Sequence, residues 1–374
     1  MGTEQALTAT SATILTIPRS EDTDAPNAPR RHGTLTTALT EQPVSLCAAA
    51  VLRIGYGLLY LTFLLREFPH RDEIWGPGSS WTPALAAQLF DQTGWSSILT
   101  LSDSPAYFEA CYLAALITCT LFALGWHSRA VSLLFAVVVA SFHSRAIFMT
   151  DGGDNLILLM AIYLCFTACG RRWSLDSRRR RRHASAGGMP TRALPVRWRH
   201  LGSARRLLTT ALHNCGMLVI AVQVCVLYGS AGLYKVQGVF WQNGTALHYV
   251  LNLDLFRPWP ALSQLVDSHQ MLVAVVGYVA VLLQVAFPFV LFGRSKYLVL
   301  TMLLGMHVSI AVLMGLPVFS SAMIIADAVF LPDRFYMRLS RVGRKILRWT
   351  ARGRMEASSS AEPSLVPSQP GSAG

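Results

Sequence analysis

The feature that most constrains this chain is a series of uninterrupted apolar runs, most of them close to the roughly 20 residues a helix needs to cross a bilayer core. They fall at residues 45–65, 106–126, 130–148, 155–170, 212–234, 271–292, 297–316 and 319–331. A helix satisfies its backbone hydrogen bonds within itself, which lipid demands. Eight such runs therefore predict an all-α fold, a polytopic membrane bundle of about eight transmembrane helices. Charge content agrees: 14% of residues are charged, against about a quarter in soluble domains.

Between the runs the segments differ sharply in character. Residues 1–44 are rich in Thr, Ser, Pro and Ala, have no apolar period and lack the apolar centre of a cleavable signal peptide, so they read as a disordered tail. Residues 67–104 carry Trp75, Trp81 and Trp95, which suit a membrane interface and a short helix lying in it. Residues 171–208 hold twelve arginines, five of them in the unbroken row 178–182, in a linker punctuated by Gly and Pro. Residues 333–374 are first basic and then Ser- and Pro-rich.

That charge pattern predicts an orientation. With eight spans at residues 45–332 and both termini inside, 26 of the 32 Lys and Arg residues lie on the cytoplasmic side; the remaining six are Arg53, Arg66, Arg71, Arg145, Lys235 and Arg257. The formal charge of +12 could suit nucleic acid, but the basic residues sit between apolar runs and do not interleave with exposed aromatics. No nucleic-acid partner is expected. The arginine row stops translocation and attracts anionic lipid. A docking segment for an acidic partner is the other reading of it.

The seven cysteines lie in or beside apolar runs, none in CxxC spacing, so neither a disulfide framework nor a metal site is implied. Ionisable residues within the runs say more, because a charge at the bilayer centre costs at least about 2.5 kcal/mol on insertion scales. They are Arg53, Glu109, His143, Arg145, Asp154, Lys235, His307 and Asp327. Arg53 and Asp327 read as structural intramembrane charges, through pairing or snorkelling. Glu109 lies near enough to a helix end to reach interfacial water. His143, Arg145 and Asp154 cluster at the predicted outer face, and the stretch 151–155 also reads as a loop-to-helix junction with an acid at the helix start. Lys235 ends a Tyr228-to-Lys235 segment rich in Gly, Ser and Ala, where helices approach closely. Two readings of it stay open: a lysine that snorkels to the surface, and an amine kept from water that acts as a general base. His307, alone on an apolar helix, is either an interhelical hydrogen-bonding residue or a chemical group.

Several stretches together resemble a known family, the horizontally transferred transmembrane domain shared by vitamin K-dependent gamma-carboxylases and the membrane proteins that mature bacterial sporulation-delaying protein. They are Leu52-Arg53-Ile54-Gly55-Tyr56-Gly57; His143-Ser144-Arg145 through Gly153-Asp154-Asn155-Leu156; Trp173-Ser174-Leu175-Asp176; and Ala231-Gly232-Leu233-Tyr234-Lys235 through Trp241, Gly244, Ala246 and Leu247. His307 through Gly315, Phe319 and Asp327 is similar in pattern. The resemblance covers residues 47–331. It implies that Lys235 matches the carboxylase lysine that takes a proton from reduced vitamin K, and that a reduced naphthoquinone is a candidate cofactor.

The sequence departs from the carboxylases at two points. It stops soon after the eighth run, without their large extramembrane domain, and it has Asp154-Asn155 where animal carboxylases have Asn-His. Both features speak against carboxylation, and the smaller size looks more like the maturation branch, whose members help to produce a secreted peptide toxin.

The leading expectation is thus a multi-pass protein of a bacterial cytoplasmic membrane, acting on or escorting a secreted peptide precursor together with a second maturation protein. Lys235, His307 and Asp154 are its candidate catalytic residues, and His143, Arg145, Tyr228 and Trp241 its candidate pocket residues, in one outward-facing pocket. A quinol-dependent carboxylase-like enzyme is the alternative. A non-catalytic binding or channel protein, in which the same charges are structural pairs, is the third reading.

Overall fold

The computed structural model describes residues 42–185, 196–291 and 293–343, with residues 40 and 345. Most of the two expected tails lies outside the described residues, and so does the centre of the basic segment. Every regular element among the described residues is a helix. Eight helices carry the architecture: α1 (Leu46–Arg66), α2 (Pro105–Leu124), α3 (Ser128–Arg145), α4 (Gly152–Phe166), α5 (Val196–Gln237), α6 (Gln270–Val290), α7 (Lys296–Leu313) and α8 (Pro317–Asp327). Each coincides with one apolar run.

Five of them, α1, α2, α5, α6 and α7, are long and apolar enough to cross a membrane; the helices at Gly152–Phe166 and Pro317–Phe330 are apolar but shorter. α3 has 18 residues, with Arg129 and Arg145 near its two ends. The outer faces support a lipid surrounding: Leu133, Leu282 and Leu298 are each more than 60% exposed, as an aqueous surface would not favour. Short connections join α2 to α3, α3 to α4, α6 to α7 and α7 to α8, so successive helices run antiparallel. One end of the bundle therefore gathers the α1 start, the α2–α3 turn and the end of α4. The other gathers residues 67–104, the α3–α4 turn and residues 238–269.

Local chemistry sets the helix ends. Pro105 and Pro317 open α2 and α8, where proline's missing N–H costs nothing. Gly125 closes α2 at φ 70°, a left-handed conformation that glycine adopts without strain. At α4, Asp151 accepts from the Gly153 and Asp154 amides while Asp154 accepts from the Asp151 amide, a reciprocal capping box. Within the tryptophan segment, Pro83–Thr93 is a helix. Glu109 reaches outward to an ion pair with Arg71, 2.8 Å.

The basic segment is more ordered than a Gly/Pro-punctuated linker. Leu175–Ser185 is a helix, capped where the Ser174 hydroxyl accepts from the Ser177 amide at 2.9 Å, and arginine is a strong helix former. α5 begins at Val196, 16 residues before the expected start at 212. Its 42 residues span about 63 Å, twice a bilayer core, so its basic first turns extend past the apolar layer. Apart from Gly202 within α5, the Gly and Pro residues that suggested a linker fall at 186–195, outside the described residues.

Two contacts tie the basic end together. Arg53 is fully buried on α1, yet its guanidinium reaches the end of α2: Nη1 donates to the Phe122 and Ala123 carbonyls at 2.8 and 2.6 Å, and Nη2 to the Trp173 carbonyl at 2.8 Å. Phe122 and Ala123 lie in the last turn of α2, where helical donors run out; the Phe122 carbonyl also accepts from the Gly125 amide at 3.0 Å, and a cation complements the negative end of the α2 dipole. The Asp176 carboxylate caps α3 from outside, accepting from the His127 amide at 3.0 Å and from the Ser128 amide and hydroxyl at 2.8 Å each.

Arg53→Met should lower the thermal midpoint of detergent-solubilised protein by an amount equivalent to at least about 2 kcal/mol, because three buried acceptors lose a charged donor. Arg53→Lys should recover only part of the loss. For Asp176, burial raises the carboxyl pKa, but the donors on Ser128 and His127, with Arg180 nearby, outweigh it and hold the pKa below the usual carboxylate range. Its stabilisation is then complete above the unfolded value of about 3.9 and is lost as pH falls through the lower folded value. Asp176→Asn should accordingly be less stable than wild type at pH 7, and the gap should close on acidification below about pH 4.

Candidate functional site

Tyr228, Gly232 and Lys235 lie four and seven residues apart on α5, which puts them on one face. That face packs on α6, and Gly232 permits the approach: a Cβ there would stand 2.9 Å from the Val285 amide nitrogen. The small-residue segment thus brings polar groups of four helices within reach of one another.

Near the end of α5 away from the basic segment, Lys235 Nζ donates to Gln284 Oε1 of α6 at 2.9 Å and lies 5.4 Å from the Trp241 ring. Gln284 is buried, and its amide contacts the Met306 sulfur of α7 at 3.8 Å. Two turns back along α5, the Tyr228 hydroxyl donates to Asp327 Oδ2 at 3.0 Å and lies 2.9 Å from His307 Nε2. A tyrosine hydroxyl has one proton; with that O–H donated to Asp327 Oδ2, the hydroxyl accepts from His307, whose own proton then sits on Nε2. This leaves His307 Nδ1 as a bare acceptor, and both Nδ1 and Asp327 Oδ1 are buried without a partner. Tyr228, His307 and Asp327 are 1%, 2% and 8% exposed, so water does not serve them from outside. Phe287, Phe319 and Phe330 form aromatic walls around the group.

The residues expected in one outward-facing pocket divide between two places. Lys235, Tyr228, His307 and Trp241 belong to the α5–α8 group, and Asp327, expected as a structural charge, joins them through Tyr228. Arg53 makes no pair with Asp327, since its guanidinium is turned to the carbonyls of α2 and Trp173. His143 and Asp154 instead line a separate cavity of about 270 Å³ between α1, α3, α4 and the start of α8, with Phe63, Trp75 and Phe319. Within it Asp154 is engaged in the α4 capping box. Arg145, fully buried, is not part of that lining; its Nη2 donates to the Gly76 carbonyl at 3.1 Å. Phe319 lines the cavity and also packs 5.9 Å from the His307 ring, so it stands between the two places.

Gln284 and Met306 complete the surroundings of Lys235 and were not among the residues the sequence brought forward. The signal for Gln284 was there: it is the one strongly polar side chain inside α6 after its first residue. The seven cysteines are free thiols; Cys165 donates to the carbonyls of Ala161 and Ser132 within the bundle. Among the described residues, no group of three His, Cys, Asp or Glu side chains is placed to hold a metal ion.

Chemically, the α5–α8 group offers a primary amine, an imidazole with a free basic nitrogen, a phenol and a carboxylate within an apolar shell. It is a set for moving protons in the absence of bulk water. No protein-family model, no curated protein and no solved structure matches the chain.

Tyr228→Phe keeps the ring and removes the hydroxyl on which both other groups converge. Thermal unfolding in detergent should show a loss of about 1–3 kcal/mol. A cycle with Asp327→Asn should show a coupling of roughly 0.5–3 kcal/mol, whereas Tyr228→Phe with Arg53→Met should be additive.

Proposed function

We propose that this chain is a multi-pass protein of the horizontally transferred transmembrane type, with all eight helices crossing the membrane and both termini on the arginine-rich, cytoplasmic side. Its α5–α8 polar group carries acid–base chemistry in the production of a secreted peptide. The observation that supports this most is the Tyr228 hydroxyl held between His307 and Asp327, with Lys235 on the same face of α5. Ionisable groups inside a membrane bundle are costly and mark working sites by default. Here His307 Nδ1 and Asp327 Oδ1 are also unpartnered, which leaves both groups an open position for a substrate proton. Lys235 is the base, His307 and Asp327 hold and pass the proton through Tyr228, and His143 with Asp154 faces the neighbouring cavity, where part of the peptide is held.

One feature favours a second reading, chemistry on a reduced naphthoquinone, as the resemblance to carboxylases implies. Beside Lys235 the α5 surface presents Leu233, Tyr234 and, just past the helix end, Phe240, all exposed, so a lipid-dissolved quinol would reach the amine from within the bilayer. The ring of Trp241 beside the amine supplies a flat face for stacking.

Comparison of secreted peptides from host cells with and without the gene tests the first reading. One mature peptide should be absent or unprocessed in the deletion strain, restored by wild type, and not restored by Lys235→Ala or Tyr228→Phe protein present in the membrane at wild-type level. Full restoration by Lys235→Ala would remove the catalytic assignment. Titration of native membranes with a reduced naphthoquinone separates the second reading, which predicts saturable binding weakened at least tenfold by Lys235→Ala.

A further inference from the structure

A second cavity lies at the other end of the bundle, away from the polar group. It is an open recess of about 970 Å³ formed where the α2–α3 turn, the end of α4, the 175–185 helix and the first turns of α5 meet. Five arginines line it: Arg129, Arg171, Arg180, Arg205 and Arg206. One acidic residue, Asp176, lies among them, and its carboxylate is already taken up by the His127 and Ser128 donors. Among the described residues none of the five makes an ion pair. Burial, together with the neighbouring Arg129 and Arg180, lowers the Arg171 pKa, as expected where like charges crowd without a counter-ion.

Such a concave set of guanidinium groups suits phosphate, which arginine grips through paired N–H donors. Its position says which kind of phosphate. Directly after Arg205 and Arg206, α5 presents Leu207 and Leu208, 53% and 60% exposed, and Trp126 at the neighbouring turn is 46% exposed. An exposed tryptophan and an arginine-to-leucine boundary mark the level where a bilayer changes from headgroups to acyl chains. A ligand with its anionic part among the arginines would thus have its apolar part against the α5 leucines. Five arginines and a recess of this volume exceed what one phosphate group needs.

We propose that this recess is a binding site for an anionic phospholipid bearing two phosphates, of the diphosphatidylglycerol class, with its headgroup held between Arg129, Arg171, Arg180, Arg205 and Arg206. The site is independent of the chemistry at Lys235. The bound lipid clamps the arginine helix, the α2–α3 turn and the start of α5 to one another, and so couples the order of the basic segment to membrane composition.

Native mass spectrometry and thermal unfolding of the full chain in phosphatidylcholine nanodiscs, titrated with diphosphatidylglycerol, test the proposal. Wild type should retain one diphosphatidylglycerol through lipid exchange and gain thermal stability from it. Arg129→Gln with Arg206→Gln should weaken retention at least tenfold, whereas Arg179→Gln with Arg182→Gln, which removes the same charge just outside the recess, should change it less than twofold. Equal weakening in both pairs would reduce the effect to diffuse surface charge and overturn the site. Inorganic diphosphate in a parallel titration should neither stabilise the protein nor displace the lipid at equal concentration; if it does both, the recess takes a soluble phosphate compound and the lipid assignment fails. Should the double variant not insert, Arg206→Gln alone, at an exposed position, reads the same loss at threefold or more.

Discussion

Inside a bundle of apolar helices, a polar group has only the protein to bond with, and this requirement organises the rest of the structure. Arg53 sits in the first half of α1, where lipid or packed side chains surround the backbone on all sides. Its guanidinium is long enough to leave that level and end on three carbonyls at the basic end. The charge therefore joins α1 to the end of α2 and to the segment after α4. The same requirement acts on Tyr228, His307 and Asp327. They meet in the interior, and that meeting fixes α5, α7 and α8 relative to one another. Arg53 ends on backbone carbonyls at the basic end, whereas Tyr228, His307 and Asp327 bond to one another through side chains alone. That difference separates a strut from a candidate site.

How much of this was legible in the sequence follows from the range of each signal. The helices were legible, because run length and hydropathy are local and lipid enforces them directly. The early start of α5 and the helix through the arginine row were not, since positive charge was taken as the mark of a loop. Arginine in fact favours helix. The shared face of Tyr228 and Lys235 was readable from a spacing of seven. The association of Tyr228 with Asp327, 99 residues away, was not, because it depends on how α8 packs. For the same reason the outer helix ends looked like one pocket: sequence gives depth along a helix but not lateral position around the bundle. His143 and Asp154 share a level with the end of α5 but belong to the α1–α3–α4 side.

The stretches that carry the family resemblance do unequal work, and their geometry separates fold from chemistry. Gly57 lets α1 lie on α2, where a Cβ would stand 3.0 Å from the Ala123 nitrogen, and Gly153 does the same for α4 against α8, at 2.7 Å from the Phe319 Cα. Arg53, Asp154 and Asp176 each satisfy backbone groups at helix ends. All of these are requirements of building the bundle, and they would be met by any chain with this architecture, whatever it acts on. What remains once they are set aside is small: Lys235 with Gln284, and His307 with Tyr228 and Asp327. Neither group closes a helix or permits a close approach, and both place titratable side chains where lipid penalises them. The first set concerns only how such a bundle is built. Only the second set bears on a shared reaction, and within it Lys235, bonded to one neutral amide and otherwise beside an aromatic ring, is the group whose position packing explains least.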